Sequence, residues 1–290
     1  MPGRALQGAQ VTASVTVRPV RSRCTLTVKY ADGSTEGSLK PVTAIGGRAS
    51  WSWTIPATAG AGRAGVTASC GHAKRVVRNL IVVGEIAPPK VSVTNEGFSI
   101  RQRPSSADLS YGLILKNDSD RLDALDISVL INFVDGANRL VGTKTDKIST
   151  IGAQSTYALG GYVSFPAASI VTHLETVIQV GGHRPKALIL PAQANLRVLP
   201  SQFDRGWTGS VEGEIINDQA QLYLQRASLT AVIFDASGSI VGGTTGSASA
   251  VLPPGARQFY KLTSGLTAIP IEKAVTAQLS IDPTYSLGAS

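Results

Sequence analysis

Apolar and polar residues alternate along much of the chain. Val11-Thr12-Ala13-Ser14-Val15-Thr16-Val17 places an apolar or small residue at every second position, and Cys24-Thr25-Leu26-Thr27-Val28-Lys29-Tyr30 repeats the pattern. A period of two puts one residue set on one face of extended backbone, so each segment predicts a half-buried β-strand. Ala31-Asp32-Gly33-Ser34 follows the second and reads as a hairpin turn. Ala49-Ser50-Trp51-Ser52-Trp53-Thr54-Ile55 predicts a further strand with both tryptophans on one face, and Gly65-Val66-Thr67-Ala68-Ser69-Cys70 another. The run Leu80-Ile81-Val82-Val83 is strand-sized, and no apolar run approaches the ~20 residues a helix needs to cross a bilayer.

The second two-thirds of the chain repeats itself. Asn117-Asp118 recurs as Asn217-Asp218, Asp135 as Asp235, Val141-Gly142 as Val241-Gly242, and Ser128, Thr145 and Ser149 as Ser228, Thr245 and Ser249, always 100 positions apart. Two copies of one unit, divided near Asn195, account for this. In each copy a strand runs into a tight turn. Ile127, Val129, Ile131 and Phe133 point one way before Asp135-Gly136-Ala137-Asn138, and Ala227, Leu229, Ala231 and Ile233 do so before Asp235-Ala236-Ser237-Gly238. An Asp opening such a turn accepts hydrogen bonds from amides two residues on, and Gly or Asn supplies the positive φ. The composition agrees with an all-β chain: of 290 residues 43% are hydrophobic and only 16% charged, which excludes a disordered polyampholyte and leaves enough apolar stock for two or three cores.

The two cysteines, Cys24 and Cys70, are either buried thiols of a reducing compartment or one crosslink of an oxidising one. Their order is Cys on an early strand, Trp in the middle, Cys on a late strand. The segments Cys24-x-Leu26-x-Val28-x-Tyr30-x-Asp32-Gly33, Gly47-x-x-x-Trp51-x-Trp53 and Val66-x-x-x-Cys70-Gly71 resemble the bacterial immunoglobulin-like domains of exported actinobacterial proteins, over about residues 11–83. The resemblance implies a sandwich outside the cytoplasm in which an inter-sheet Cys24–Cys70 disulfide packs against a buried Trp. Closing a loop of this length stabilises a fold by about 4 kcal/mol in the chain-entropy model. The two repeats look like the FxLYD type of bacterial β-sandwich over residues 98–180 and 203–282. Ile131-Asn132-Phe133-Val134-Asp135 and Ala231-Val232-Ile233-Phe234-Asp235 stand in place of the motif, and Asn117 and Asn217 match its upstream Asn; the leading Phe is absent from both. Such domains are accessory modules with no catalytic residues to carry over. The expected architecture is all-β, three tandem immunoglobulin-like β-sandwich domains at 1–84, 91–195 and 196–290, the last two an internal repeat. Glu85-Ile86-Ala87-Pro88-Pro89-Lys90 serves as a Pro-rich linker. Met1-Pro2-Gly3-Arg4-Ala5 has no apolar signal core, so if the protein is exported its signal or anchor was removed, lies outside this sequence or was lost from a partial reading frame.

Charge is unevenly spread. Residues 1–84 hold eleven Lys or Arg against Asp32 and Glu36, net +9; residues 85–195 balance ten against ten; residues 196–290 hold six against seven. The basic excess of the chain, +8 overall, therefore belongs to the first domain. Arg18, Arg21, Arg23, Lys74, Arg75 and Arg78 crowd the two cysteines and form a candidate anion-binding cluster. Its partner would be an anionic cell-wall polymer, lipid headgroups or an acidic protein surface. Nucleic acid fits less well, because no recognised nucleic-acid motif is present and aromatics are only 6% of the chain.

Catalytic chemistry finds little support. His72, His173 and His183 have no metal-ligand spacing, and no Gly-x-Ser-x-Gly elbow marks a nucleophile. Gly242-Gly243-Thr244-Thr245-Gly246 lacks the Lys of a phosphate loop and reads as a turn at a strand edge. Asp118, Asp120 and Asp123 form an acidic loop that is a weak calcium candidate, since the second copy keeps only Asp218. No cofactor is expected. The sequence reading is a non-enzymatic, extracellular or envelope-associated binding or structural module; the alternative is an accessory segment of a larger secreted enzyme.

Overall fold

Strands form where the alternation places them. The structure is a computed structural model that describes residues 2–18, 20–71, 76–84, 88–203, 206–248 and 251–287, with residues 202, 203, 206 and 207 described by their backbone alone. The chain is all-β and divides into two compact units, Met1–Ala87 and Pro88–Ser290. The linker expected at 85–90 falls partly on 85–87, outside the described residues.

In the first unit the strands are β1 (Arg4–Leu6), β2 (Gln10–Thr16), β3 (Arg23–Lys29), β4 (Val42–Thr43), β5 (Arg48–Thr54), β6 (Gly62–Cys70) and β7 (Val76–Val83). They make a five-stranded sheet, β1-β7-β6-β3-β4, facing a two-stranded sheet, β2-β5. β3 and β5 alternate strictly between exposed and buried, as a half-buried strand must. Their inward residues join one core with Val11, Val66 and Leu80, in which Trp51 and Trp53 are the bulkiest side chains. Trp51 spends its indole N–H on the Lys40 carbonyl at 3.1 Å.

Cys24 and Cys70 are bonded to each other, but not across the two sheets. They are directly opposed on β3 and β6, neighbours in the five-stranded sheet, with Cα atoms 4.0 Å apart. Gly71 N–H bonds to Arg23 O in the adjoining pair, so the cysteines occupy a non-hydrogen-bonded position, where opposed side chains come closest. The expected inter-sheet staple is thus corrected to an intra-sheet one. The spacing of the cysteines fits either arrangement, and pairing register alone decides between them.

The second unit contains β8 (Val91–Gln102), β9 (Ser106–Asn117), β10 (Leu122–Val134), β11 (Leu140–Ile151), β12 (Thr156–Pro166) and β13 (His173–Pro185), then β14 (Ala192–Phe203), β15 (Gly206–Ile216), β16 (Leu222–Asp235), β17 (Ile240–Ala248), β18 (Arg257–Leu262) and β19 (Ala274–Leu287). The repeat is carried by topology. Sheets β12-β9-β8 and β11-β10-β13 of the first half correspond to β14-β15-β18 and β17-β16-β19 of the second. Each pair encloses its own core, one around Leu109, Tyr111, Ile131 and Phe133, the other around Val211, Ile215, Leu229 and Ile233. The division expected near Asn195 falls inside β14, where Asn195 takes a left-handed conformation (φ 56°) beside a shift of register. Asn tolerates that conformation, and β8 of the first copy carries a register shift at the corresponding place, between Val93 and Asn95.

The two halves share a face. Ile114 and Ala158 from the first, with Val232 and Ile240 from the second, form a small apolar cluster between sheet β12-β9-β8 and sheet β17-β16-β19. Four sheets are therefore stacked, and β9 and β16 are buried on both sides. Gly242 and Gly243 lie within β17 at this seam, in place of the strand-edge turn their sequence suggests.

Candidate functional site

The outward face of the five-stranded sheet carries Arg4, Arg23, Lys29 and Arg63, four of the eleven basic residues in 1–84. On β3 the inward residues are Cys24, Leu26 and Val28, which leaves Arg23, Thr25, Thr27 and Lys29 outside. Register carries that face across the sheet. Arg4 stands opposite Ile81, which stands opposite Arg63, and in the next row Asn79, Gly65 and Lys29 align. Two strand spacings put the Arg4 and Arg63 backbones about 10 Å apart, with Lys29 one row away. The two acids of this unit are engaged elsewhere. Asp32 accepts from Ser34 N at 2.9 Å and Gly60 N at 2.7 Å, and Glu36 from Ser38 N at 3.1 Å and Tyr30 OH at 3.2 Å. Among the described residues every ion pair lies in the second unit, so Arg4, Arg23, Lys29 and Arg63 face solvent with no carboxylate to neutralise them.

The cluster expected around the cysteines is distributed differently. Arg18 and Arg21 are exposed in the loop before β3, and Arg23 opens that strand next to the disulfide. Arg78 opposes inward-facing Val66, so it projects from the core side of the sheet, on the face opposite Arg23. Lys74 and Arg75, with His72, lie outside the described residues. Arg4, Lys29 and Arg63 escape a reading based on neighbours in sequence. The signal for Lys29 and Arg63 is their place on the polar phase of alternating strands; Arg4 had none, because a three-residue strand has no period to read.

Arg78 sits at the mouth of a cleft. Sheet β2-β5 is too narrow to cover β6 and β7, and beside β2 a cavity of about 420 Å³ opens over Leu26, Val66, Ala68 and Val76. Val76 is 42% exposed there despite facing inward.

In the second unit the residues singled out by the repeat are internal fastenings. Asp135 Oδ1 accepts from Ala137 N at 2.8 Å and Arg139 N at 2.9 Å; Asp235 Oδ1 accepts from Ser237 N at 2.9 Å and Ser239 N at 3.0 Å. These donors hold both carboxyls below the usual Asp range, led by the Arg139 amide for Asp135 and the Ser237 hydroxyl for Asp235. Asn117, fully buried, donates to the carbonyls of Leu122, Ile151 and Gly152 at 2.9, 3.0 and 3.2 Å. Asn217 donates to those of Leu222 and Leu252, each at 2.8 Å.

The calcium candidate is corrected by the placement of its oxygens. Asp118 and Asp120 are exposed and pair with Lys116 at 3.5 Å and Arg121 at 3.6 Å. Asp123 turns inward and accepts from Ala153 N at 3.0 Å, Ala187 N at 2.8 Å and Arg184 Nε at 3.4 Å. The three carboxylates do not converge, and no metal-holding group occurs among the described residues. His173 lies 3.8 Å from Glu175, and His183 is exposed on β13. At the seam a polar groove of about 490 Å³ balances Lys144 and Lys147 against Asp146 and Asp282. Tyr111 donates its hydroxyl to Asp146, and burial followed by that carboxylate raises its pKa.

No protein-family model and no curated protein matches the chain. Among solved structures, the native conformation of E. coli alpha-2-macroglobulin aligns at 12% identity over 98% of this chain and 20% of that one, with a TM-score of 0.26. A Salmonella alpha-2-macroglobulin mutant aligns at 10% identity over 97% of this chain and 22% of that one, with a TM-score of 0.25. The chain thus spans about a fifth of the length of each.

Proposed function

We propose that the chain is a non-catalytic binding module of the cell exterior or envelope, built from three immunoglobulin-like sandwiches. Its basic first unit contacts an anionic partner, and its second acts as a rigid spacer. The observation that carries this reading is the sheet face bearing Arg4, Arg23, Lys29 and Arg63 without an acidic neighbour among the described residues. Such a face attracts polyanions over roughly a Debye length, about 8 Å at physiological salt. The Cys24–Cys70 bond supports an oxidising compartment, since thiol buffers keep most cytosolic cysteines reduced. The stacked halves of the second unit support the spacer role, because a shared apolar face packs one against the other. A phosphate-bearing wall polymer, anionic lipid headgroups and an acidic protein surface all present the required charge.

The test is retention of the full chain on anionic wall fractions and on vesicles containing an anionic lipid, at rising salt. Retention that falls steeply with salt, and falls further in an Arg23→Ser/Lys29→Ser double variant, supports the reading. Salt-independent retention, or none, removes it.

A further inference from the structure

We propose that the free edge of β2 and the cleft beside it accept an extended acidic segment of a partner protein as an added β-strand. This goes beyond the reading above: the cleft lies on the opposite face of the five-stranded sheet, and Arg78 there sets the sign of the partner's charge.

The edge is defined by the hydrogen bonds already made. Ile55 N–H bonds to Ala9 O at 3.0 Å and Val17 N–H to Gly47 O at 2.8 Å, so the odd-numbered residues of β2 pair with β5. The N–H and C=O groups of Thr12, Ser14 and Thr16 consequently point away from β5, where no described strand lies. Natural sheets protect such edges with charge, proline or bulges. β2 reads Gln-Val-Thr-Ala-Ser-Val-Thr, with neither charge nor proline, and its register is unbroken over seven residues.

Elsewhere this molecule does cover exposed edges. In the second unit β12 is an edge strand whose Ala158 and Gly160 amides donate to the hydroxyls of Ser280 and Thr230, at 2.7 and 2.5 Å. β17 is another, and its Gly243 amide donates to Ser110 Oγ at 2.9 Å. The β2 edge has no counterpart of these caps among the described residues.

The cleft sets what the added strand must look like. A strand placed about 4.8 Å beyond β2 would extend the two-stranded sheet to three and lie over the inner face of β6 and β7. Its inward side chains would meet Leu26, Val66, Ala68 and Val76, so apolar residues suit those positions. One of them would reach Arg78, the charged group at the cleft, which calls for a carboxylate. Its outward side chains would meet solvent on the Thr12 and Ser14 side. The occupant is therefore an extended segment alternating apolar and polar residues, with a Glu or Asp among the apolar set.

The probe is a blocked nine-residue peptide alternating valine and threonine, with one valine replaced by glutamate, beside a twin carrying lysine there. The readout is amide hydrogen exchange of the full chain. The glutamate peptide is expected to slow exchange at Thr12, Ser14 and Thr16 at least tenfold, and the lysine twin to need at least tenfold more peptide. Arg78→Glu should reverse that preference. Ser14→Pro removes one outward N–H while leaving the backbone bonds to β5, losing only the Arg48 side-chain bond to Ser14 Oγ at 3.2 Å, and should abolish the effect. The proposal is overturned if millimolar glutamate peptide leaves the three amides unchanged, if both peptides act alike, or if raising the protein's own concentration protects them, which would make a second copy the occupant. Polyanion retention, read on the same samples, separates the two readings: if it persists while the peptide fails, the strand proposal falls and the anion-binding reading stands.

Discussion

Gly160 of β12 and Gly243 of β17 meet backbone to backbone across the seam of the second unit. A Cβ on Gly160 would stand 2.7 Å from Thr244 N and closer still to Ala231 O, and one on Gly243 would stand 2.5 Å from Tyr111 O. Sheets that pack through side chains sit about 10 Å apart; here the chains touch, and hydroxyls replace side-chain packing. Ser110 Oγ donates to Gly243 O at 2.8 Å, and Thr230 Oγ1 to Gly160 O at 3.1 Å. Gly160→Ala or Gly243→Ala forces the two halves apart. Either should destabilise the second unit by about 2–3 kcal/mol, within the range for overpacked cores. Calorimetry of the full chain should show one transition lowered and the transition of the first unit unmoved.

Asn117→Ala removes the side-chain donor of the Leu122 and Ile151 carbonyls, while Gly152 O keeps the Ser155 amide; Asn217→Ala removes that of the Leu222 carbonyl, while Leu252 O keeps the Leu224 amide. Leaving a buried acceptor unmatched costs about 1–3 kcal/mol. Both variants should lower the urea midpoint of the second unit, with the Asn117 variant the more damaging.

Much of this was legible in the sequence, and the exceptions have physical causes. The alternation of Ile127, Val129, Ile131 and Phe133 marks residues that are all fully buried, because a half-buried strand has one apolar phase. The repeated Asp turns were readable because the Asp side chain makes its bonds within four residues. Long-range relations were not. The cysteine spacing serves an inter-sheet or an intra-sheet bond equally. The seam left a trace in Leu113-Ile114-Leu115 and Ala231-Val232-Ile233, where apolar residues occupy both phases, the mark of a strand buried on two faces. The basic face united Arg4 and Arg63 through pairing with β7, which no local pattern encodes.

Asp123 makes the second unit sensitive to acid. Burial alone would raise its pKa, but donation from the backbones of Ala187, Ala153 and Leu188 and from Arg184 outweighs that and holds it below the ordinary value. A depressed folded pKa contributes stability that is present above the unfolded value, about 3.9, and lost as pH falls through the folded one. Urea midpoints of the second unit should therefore drop as pH is lowered below about 4. Asp123→Asn should start lower at neutral pH and show a flatter acid limb.

Reduction of the Cys24–Cys70 bond acts on the first unit alone. Its closed loop spans 46 residues of sequence separation, which corresponds to about 4 kcal/mol in the chain-entropy model. Calorimetry with and without a phosphine reductant should show the first transition fall by many degrees and the second hold its position. A common shift of both would mean that the units unfold together.

Binding of a fluorescent polyphosphate to the full chain, followed by anisotropy from 50 to 500 mM salt, tests the central claim most directly. The account predicts an affinity that falls at least tenfold over that range and that Arg23→Glu/Lys29→Glu weakens at least tenfold at low salt, with both thermal transitions preserved. An affinity indifferent to salt, or a double variant that binds like the parent, would contradict it.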